Sequence, residues 1–201
     1  MNYREFKRDI FEHLRNKADS SERVILLHTI SGDCRMGAGI AKAIEDRLRW
    51  RSAVLCEDAD GRGYSNSIGP WVWSKQHDGW ENAISHDIMK LSYPVGHIVR
   101  ADTYYRDILG DPYASQFDIL GLVTKARYWQ KPSIQDMDEA LDDLAGYLEG
   151  LCDPNDSADG ITLVMPTIGC GLDRLDWPEV SFLIHKHLSD IQNLTVDVCQ
   201  L

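Results

Sequence analysis

The chain has 201 residues, 43% of them hydrophobic, and a formal net charge of −11. That length and apolar content suit one domain with a substantial core. The charge excludes bulk, sequence-independent nucleic-acid binding, which needs lysine and arginine to neutralise phosphates. No run approaches the roughly 18 consecutive apolar residues of a membrane span, and the charged opening MNYREFKRDIFEHLRNK lacks the apolar centre of a signal peptide. Cys34, Cys56, Cys152, Cys170 and Cys199 form no C-x-x-C pair and no metal-ligand spacing. Reduced thiols, a cytoplasmic or nuclear location, and no metal or cofactor are the expectation.

In chain order, residues 3–11 alternate and are read as an opening strand running into a loop at Lys7-Arg8-Asp9-Ile10-Phe11. Residues 24–30 form a near-continuous apolar run, the mark of a strand buried on both faces. His28 inside it reads as a core histidine rather than a catalyst. A glycine-bearing loop follows, Ser31-Gly32-Asp33-Cys34-Arg35-Met36-Gly37-Ala38-Gly39-Ile40. A helix then runs from Gly37 to Leu48, with Ile40, Ala43, Ile44 and Leu48 on one face. The middle, about 50–116, is read as an extended insertion. It holds a short strand at 53–56, a surface loop over 57–70, a helix over about 79–91, a strand over 95–101 and a polar, tyrosine-rich stretch at 102–116. Trp71, Trp73 and Trp80 fall within it.

Order returns with a strand over 117–124 that ends at Lys125. Pro132 and Ser133 open a helix, Ser133 as its cap and Asp136 at the third helical position. Its buried stripe is predicted to be Ile134, Met137, Leu141, Leu144, Leu148 and Leu151. A turn-rich linker at 152–159 leads to a strand at 161–165. A second glycine loop comes next, Thr167-Ile168-Gly169-Cys170-Gly171-Leu172-Asp173-Arg174. Asp176-Trp177-Pro178 open a helix with Val180, Leu183, Ile184, Leu188 and Ile191 on one face, and 194–199 is a final strand.

Strands alternating with helices predict a three-layer α/β domain with a mixed, mostly parallel central sheet. Ligands of such sheets sit at the carboxyl ends of the strands. Both glycine loops and Lys125 follow strand ends, so the topology can bring all three to one cleft. A loop entering a helix exposes unpaired backbone N–H groups that stabilise phosphate. Two such loops suit a diphosphate, hence a nucleotide-type ligand. The first loop is not a dinucleotide fingerprint of G-x-G-x-x-G type, because Lys42 stands at its last position. In the second, Gly169 and Gly171 permit positive φ and close backbone approach. Taken singly, Asp9 reads as a turn residue, Lys125 as a surface lysine, Asp173 as a cap or a partner of Arg174, and Cys170 as a small packing residue or a nucleophile.

Taken together, the segments 7–11, 28–41, 122–133 and 165–177 resemble a macrodomain, of the ALC1-like branch that contains the terminal ADP-ribose protein glycohydrolases. The resemblance covers about 5–50 and 117–201. It implies a three-layer α/β/α fold and ADP-ribose as ligand. It places Asp9, with Ile10, at the adenine. It places Ser31, Arg35, Met36, Gly37, Gly39 and Ile40 at the distal ribose and diphosphate. Thr167, Ile168, Gly169, Cys170, Gly171 and Leu172 would wrap the diphosphate. It also implies chemistry, with Lys125 as nucleophile at C1″ of the distal ribose and Asp173 as general acid and base. Those two groups must then meet, 48 positions apart in sequence. One departure is Arg8, where macrodomains usually carry Gly before the aspartate.

The activity so implied is hydrolysis of the ester between ADP-ribose and acidic side chains. O-acetyl-ADP-ribose and ADP-ribosylated nucleic acid are related substrates. The alternatives are an ADP-ribose 1″-phosphate phosphatase and a non-catalytic ADP-ribose reader. A monomer without membrane partners is expected.

Overall fold

A computed structural model describes residues 1–17, 22–48, 71–74, 79–82, 93–100, 117–151 and 160–200. Its elements are β1 (Asn2–Lys7), α1 (Ile10–Lys17), β2 (Arg23–Ser31), α2 (Gly39–Leu48), β3 (Trp71–Ser74) and β4 (Gly79–Asn82). They continue with β5 (Ile98–Arg100), β6 (Asp118–Lys125), α3 (Ile134–Leu151), β7 (Ile161–Pro166), α4 (Trp177–Leu188) and β8 (Leu194–Gln200).

The strands form one mixed sheet in the order β1-β8-β7-β2-β6-β5-β3-β4. From β1 to β6 every neighbouring pair is parallel, and from β6 to β4 every pair is antiparallel. Alternation along the central strands divides the core in two. Ile25, Leu27, Leu120, Leu122, Leu163 and Met165 pack towards α3 and α4. Val24, Leu26, Ile30, Ile119, Val123 and Val164 pack towards α1 and α2. The result is the three-layer α/β/α arrangement expected from the alternation of elements. No helix among the described residues is long and apolar enough to cross a membrane.

Three local expectations are corrected. The segment read as a strand running into a loop ends as a strand at Lys7, and Ile10 begins α1. Asp9 caps that helix, its Oδ1 accepting from the Phe11 and Glu12 N–H groups at 3.0 Å each. The predicted helix over 79–91 fails at 79–82, which pair as β4 with β3. There the backbone bonds come from a neighbouring strand, an interaction that local propensity does not report. On α3 the predicted stripe holds for Met137, Leu141, Leu144 and Leu148, but Ile134 is exposed and Leu151 only partly buried. Ala140, Asp143, Ala145 and Tyr147 are buried instead. Asp143 turns inward because its Oδ2 accepts the Ile98 N–H at 2.9 Å, tying α3 to β5. The readings for 53–56, 57–70, 83–91, 102–116 and 152–159 lie outside the described residues.

His28 sits in β2 with no solvent exposure, and burial lowers its pKa from 6.5 to about 4. Below pH 6.5 the unfolded chain binds a proton that folded His28 refuses, so this residue makes stability fall as the pH drops towards about 4. The loss approaches about 3 kcal/mol at the low end. Equilibrium unfolding of His28→Leu beside the wild type is expected to show a shallower acid slope in the variant. Parallel slopes would assign the acid sensitivity to other groups.

Candidate active site at the carboxyl edge of the sheet

Because β1, β7, β2 and β6 are parallel, their carboxyl ends share one edge of the sheet. Asp9 follows β1, the first glycine loop follows β2, Lys125 ends β6, and the second glycine loop follows β7.

Lys125 is aimed by a register shift. Ile30 of β2 lies opposite Val123, but Ser31 lies opposite Lys125, so Thr124 is passed over. Such bulges re-aim the following side chain and are frequent beside active sites. Lys125 Nζ donates to Asp173 Oδ1 at 2.5 Å, each side chain being 13% exposed. An amine and a carboxylate at this distance, in a partly dehydrated place open to solvent on one side, can exchange a proton directly.

The two loops touch each other and the Lys125 strand. Leu172 lies against Gly39, its Cδ1 3.4 Å from where a β-carbon would stand. Lys131 donates to the Leu172 carbonyl. The second loop is folded on itself by Cys170 N–H to Thr167 O at 3.2 Å and Leu175 N–H to Gly169 O at 3.0 Å. Gly169 adopts φ +71°, and a β-carbon there would come within 2.9 Å of Met137 and Leu175 side-chain carbons. Only glycine fits this bend without displacing them.

The predicted site residues are not equally accessible. Asp9, Arg35, Gly37, Gly39, Gly171 and Leu172 are exposed, and Ile40, Thr167, Cys170 and Asp173 are half-buried. Ile10, Ser31, Met36, Ile168 and Gly169 are buried. Asp9 and α2 are neighbours, with Arg47 Nη1 4.0 Å from Asp9 Oδ1. Cys170 donates its thiol to the Ile168 carbonyl at 3.3 Å, and burial with Asp176 nearby pushes its pKa up to about 11. A thiol held protonated is a packing group, not a nucleophile.

One site residue escaped the sequence reading. Gly32 N–H donates to the Lys125 carbonyl at 2.8 Å, and the Gly32 carbonyl accepts from Tyr93 N–H at 2.9 Å. A β-carbon at this position would stand 2.4 Å from the Tyr93 carbonyl oxygen and 3.1 Å from that of Ala126. Both obstacles are backbone, so nothing flexible can give way. Gly32→Ala is expected to displace the end of β6 and cut turnover at least about tenfold through a misplaced Lys125. A variant with wild-type kinetics and melting temperature would show that the strand ends move freely. A lone glycine beside Asp33 in sequence carries no sign of this contact, which is made across strands.

No protein-family model matches the chain. Among characterised proteins, human ADP-ribose glycohydrolase OARD1 is 29% identical over 161 residues, spanning 80% of this chain and 72% of that protein. Among solved structures, the macrodomain of Thermus aquaticus DarG superposes with a TM-score of 0.59 at 17% identity, covering 98% of this chain and 97% of that one. Thermosipho africanus DarTG, solved in complex with ADP-ribose, gives 0.56 at 17% identity over 100% of this chain and 42% of that one. The architecture is thus the macrodomain fold. In sequence the chain is similar to an ADP-ribose glycohydrolase.

Proposed function

We propose that this macrodomain binds ADP-ribose and hydrolyses the ester joining its distal ribose to an acidic side chain, with Lys125 as nucleophile and Asp173 as acid and base. The single observation that carries the reading is the Lys125–Asp173 contact at the edge where both glycine loops end. The order of the strands supports it. From β1 through β8, β7 and β2 to β6 is four strand spacings, or about 19 Å. That is a span suited to an adenine at Asp9, a diphosphate at the two loops and the distal ribose at Lys125.

In the proposed reaction Asp173 takes a proton from Lys125, leaving a neutral amine. Nζ attacks C1″ as the C1″–O bond to the acceptor breaks, and the acceptor departs as a carboxylate. That leaving group needs little protonation, which suits a site holding one carboxylate and one amine. The nitrogen loses one proton to solvent, and the C1″–O4″ bond breaks as the protonated Asp173 gives its proton to O4″, which leaves an open-chain lysine–sugar iminium. Water, deprotonated by Asp173, adds to C1″. The C1″–N bond then breaks, releasing ADP-ribose and restoring the amine. The backbone N–H groups of the loops hold the diphosphate locally, so the overall charge of −11 is no obstacle. Among the described residues the strands form one sheet, which supports a single domain.

The experiment is release of ADP-ribose from a protein modified on Glu or Asp, with calorimetry of ADP-ribose binding alongside. Release by the wild type and none by Lys125→Ala is the expected result. Tight binding without release makes the chain a reader. Release from the 1″-phosphate that persists in Lys125→Ala makes it a phosphatase.

A further inference from the structure

Between β6 and α3 the chain leaves Lys125 and closes a tight turn that the proposed reaction does not use. Gln130 N–H donates to the Arg127 carbonyl at 3.0 Å, and Arg127 N–H donates to Gln130 Oε1 at 2.8 Å. The turn is tethered to the first glycine loop, with Tyr128 N–H donating to Asp33 Oδ2 at 3.4 Å and the Arg35 guanidinium lying 4.8 Å over the Tyr128 ring. It is tethered to the second loop by Lys131. Yet its tip faces water. Tyr128 is 46% and Trp129 65% exposed, and the two rings meet edge to face at 5.0 Å. Arg35, Arg127, Lys131 and Arg174 are also exposed. A chain of net charge −11 therefore sets four cations and two open aromatic rings beside Lys125 and Asp173. Large rings left in water at the mouth of a site mark a contact surface.

We infer that this rim is the acceptor-binding surface, and that it takes a short acidic polypeptide segment bearing the ADP-ribosyl ester, Trp129 packing on the segment and Arg127 and Arg174 pairing with its carboxylates. The inference rests on the hydrolase reading. The acceptor is bonded to the carbon that Lys125 attacks, so its chain must lie on the solvent side of that lysine, where the turn stands. The ester itself requires a carboxylate-bearing acceptor, and neighbouring carboxylates complement the local cations. A nucleic-acid strand offers no carboxylate to form this ester, and its charge on every phosphate extends beyond the local cations in a way that a short peptide's does not.

The test compares kcat/KM on an ADP-ribosyl ester of an acidic peptide with kcat/KM on O-acetyl-ADP-ribose, which has the same ester and no polypeptide. An ADP-ribosylated single-stranded oligonucleotide is the third substrate. Trp129→Ala and the double variant Arg127→Glu/Arg174→Glu are expected to lose about tenfold or more on the peptide and less than about twofold on the acetyl ester. Added salt should shrink the wild-type advantage on the peptide. Equal losses on both esters would make the turn a mere support for Lys125, and no loss on the peptide would remove it from recognition; either result overturns the inference. A loss confined to the oligonucleotide would overturn it in favour of nucleic acid. A wild type inert on both esters would instead bring down the hydrolase reading beneath it.

Discussion

Lys125→Ala is expected to abolish ester hydrolysis, lowering kcat by on the order of 1,000-fold or more, while ADP-ribose still binds. The asymmetry follows from what the side chain touches. Its amine meets Asp173, whereas the loops that would hold the diphosphate are fixed by their own backbone bonds. Lys125→Arg is the sharper variant. It keeps the charge and the partner for Asp173, but a guanidinium remains protonated and is no nucleophile. It should bind and fail to turn over. Wild-type enzyme quenched with borohydride during turnover should carry ADP-ribose on Lys125 through a reduced C1″–N bond, visible by mass spectrometry. Full activity in Lys125→Arg would exclude covalent catalysis. Asp173→Ala should cost about 100- to 10,000-fold, within the range for general acid–base groups. The double variant should be little worse than Lys125→Ala alone, since the two groups act on the same proton and the same carbon.

What the sequence made legible divides along physical lines. The buried strands were readable because a strand covered on both faces is a near-continuous apolar run, as the interiors of β2, β6 and β7 are. The cap of α3 was readable because its chemistry is local: Ser133 Oγ accepts the Asp136 N–H at 3.1 Å and Asp136 Oδ2 accepts the Ser133 N–H at 2.6 Å. The same logic would have found α1. Asp9 and Glu12 stand in the spacing of a capping box, before a run in which Ile10, Phe11 and Leu14 are buried. That signal was obscured by the alternating strand running directly into it. The topology brought Lys125 and the second glycine loop to one edge, but the pairing of Lys125 with Asp173 was expected only through the family resemblance. Gly32 and the Thr124 bulge were not singled out, and Arg127, Tyr128, Trp129 and Lys131 read as ordinary edge residues, because each is defined by a contact across strands or loops. Nor did the pattern of residues 79–82 disclose a strand whose partner is β3.

The second large effect is on folding. Asp197→Ala is expected to destabilise the domain by about 3 kcal/mol. Asp197 on β8 has no solvent exposure, yet it carries a carboxylate that β1 and α1 both engage. Arg4 of β1, its register partner, donates from Nε at 2.7 Å and from Nη2 at 3.0 Å. His13 of α1 places Nε2 2.8 Å from Oδ2, and its Nδ1 lies 3.4 Å from Arg8 Nη1. Those partners fix the ring as a donor to Asp197 and an acceptor from Arg8. Lys17 stands 4.0 Å away and joins the cluster to Glu22, which accepts from Thr162 of β7 at 2.5 Å. The hydroxyl of Thr162 and the Lys17 ammonium hold the Glu22 carboxyl below its usual range. Removing Asp197 leaves His13 buried without its acceptor, while Arg4, more than a third exposed, recovers water. The loss therefore falls mainly on α1, the helix whose first turn Asp9 caps. If Asp9 reads the adenine, Asp197→Ala should raise KM for ADP-ribosyl substrates more than it lowers kcat, because the chemistry sits four strands away at β6. Urea titration should show a lower midpoint at an unchanged slope. Unchanged stability would mean that the desolvation of these charges cancels their attraction, and an unchanged KM would detach α1 from ligand binding.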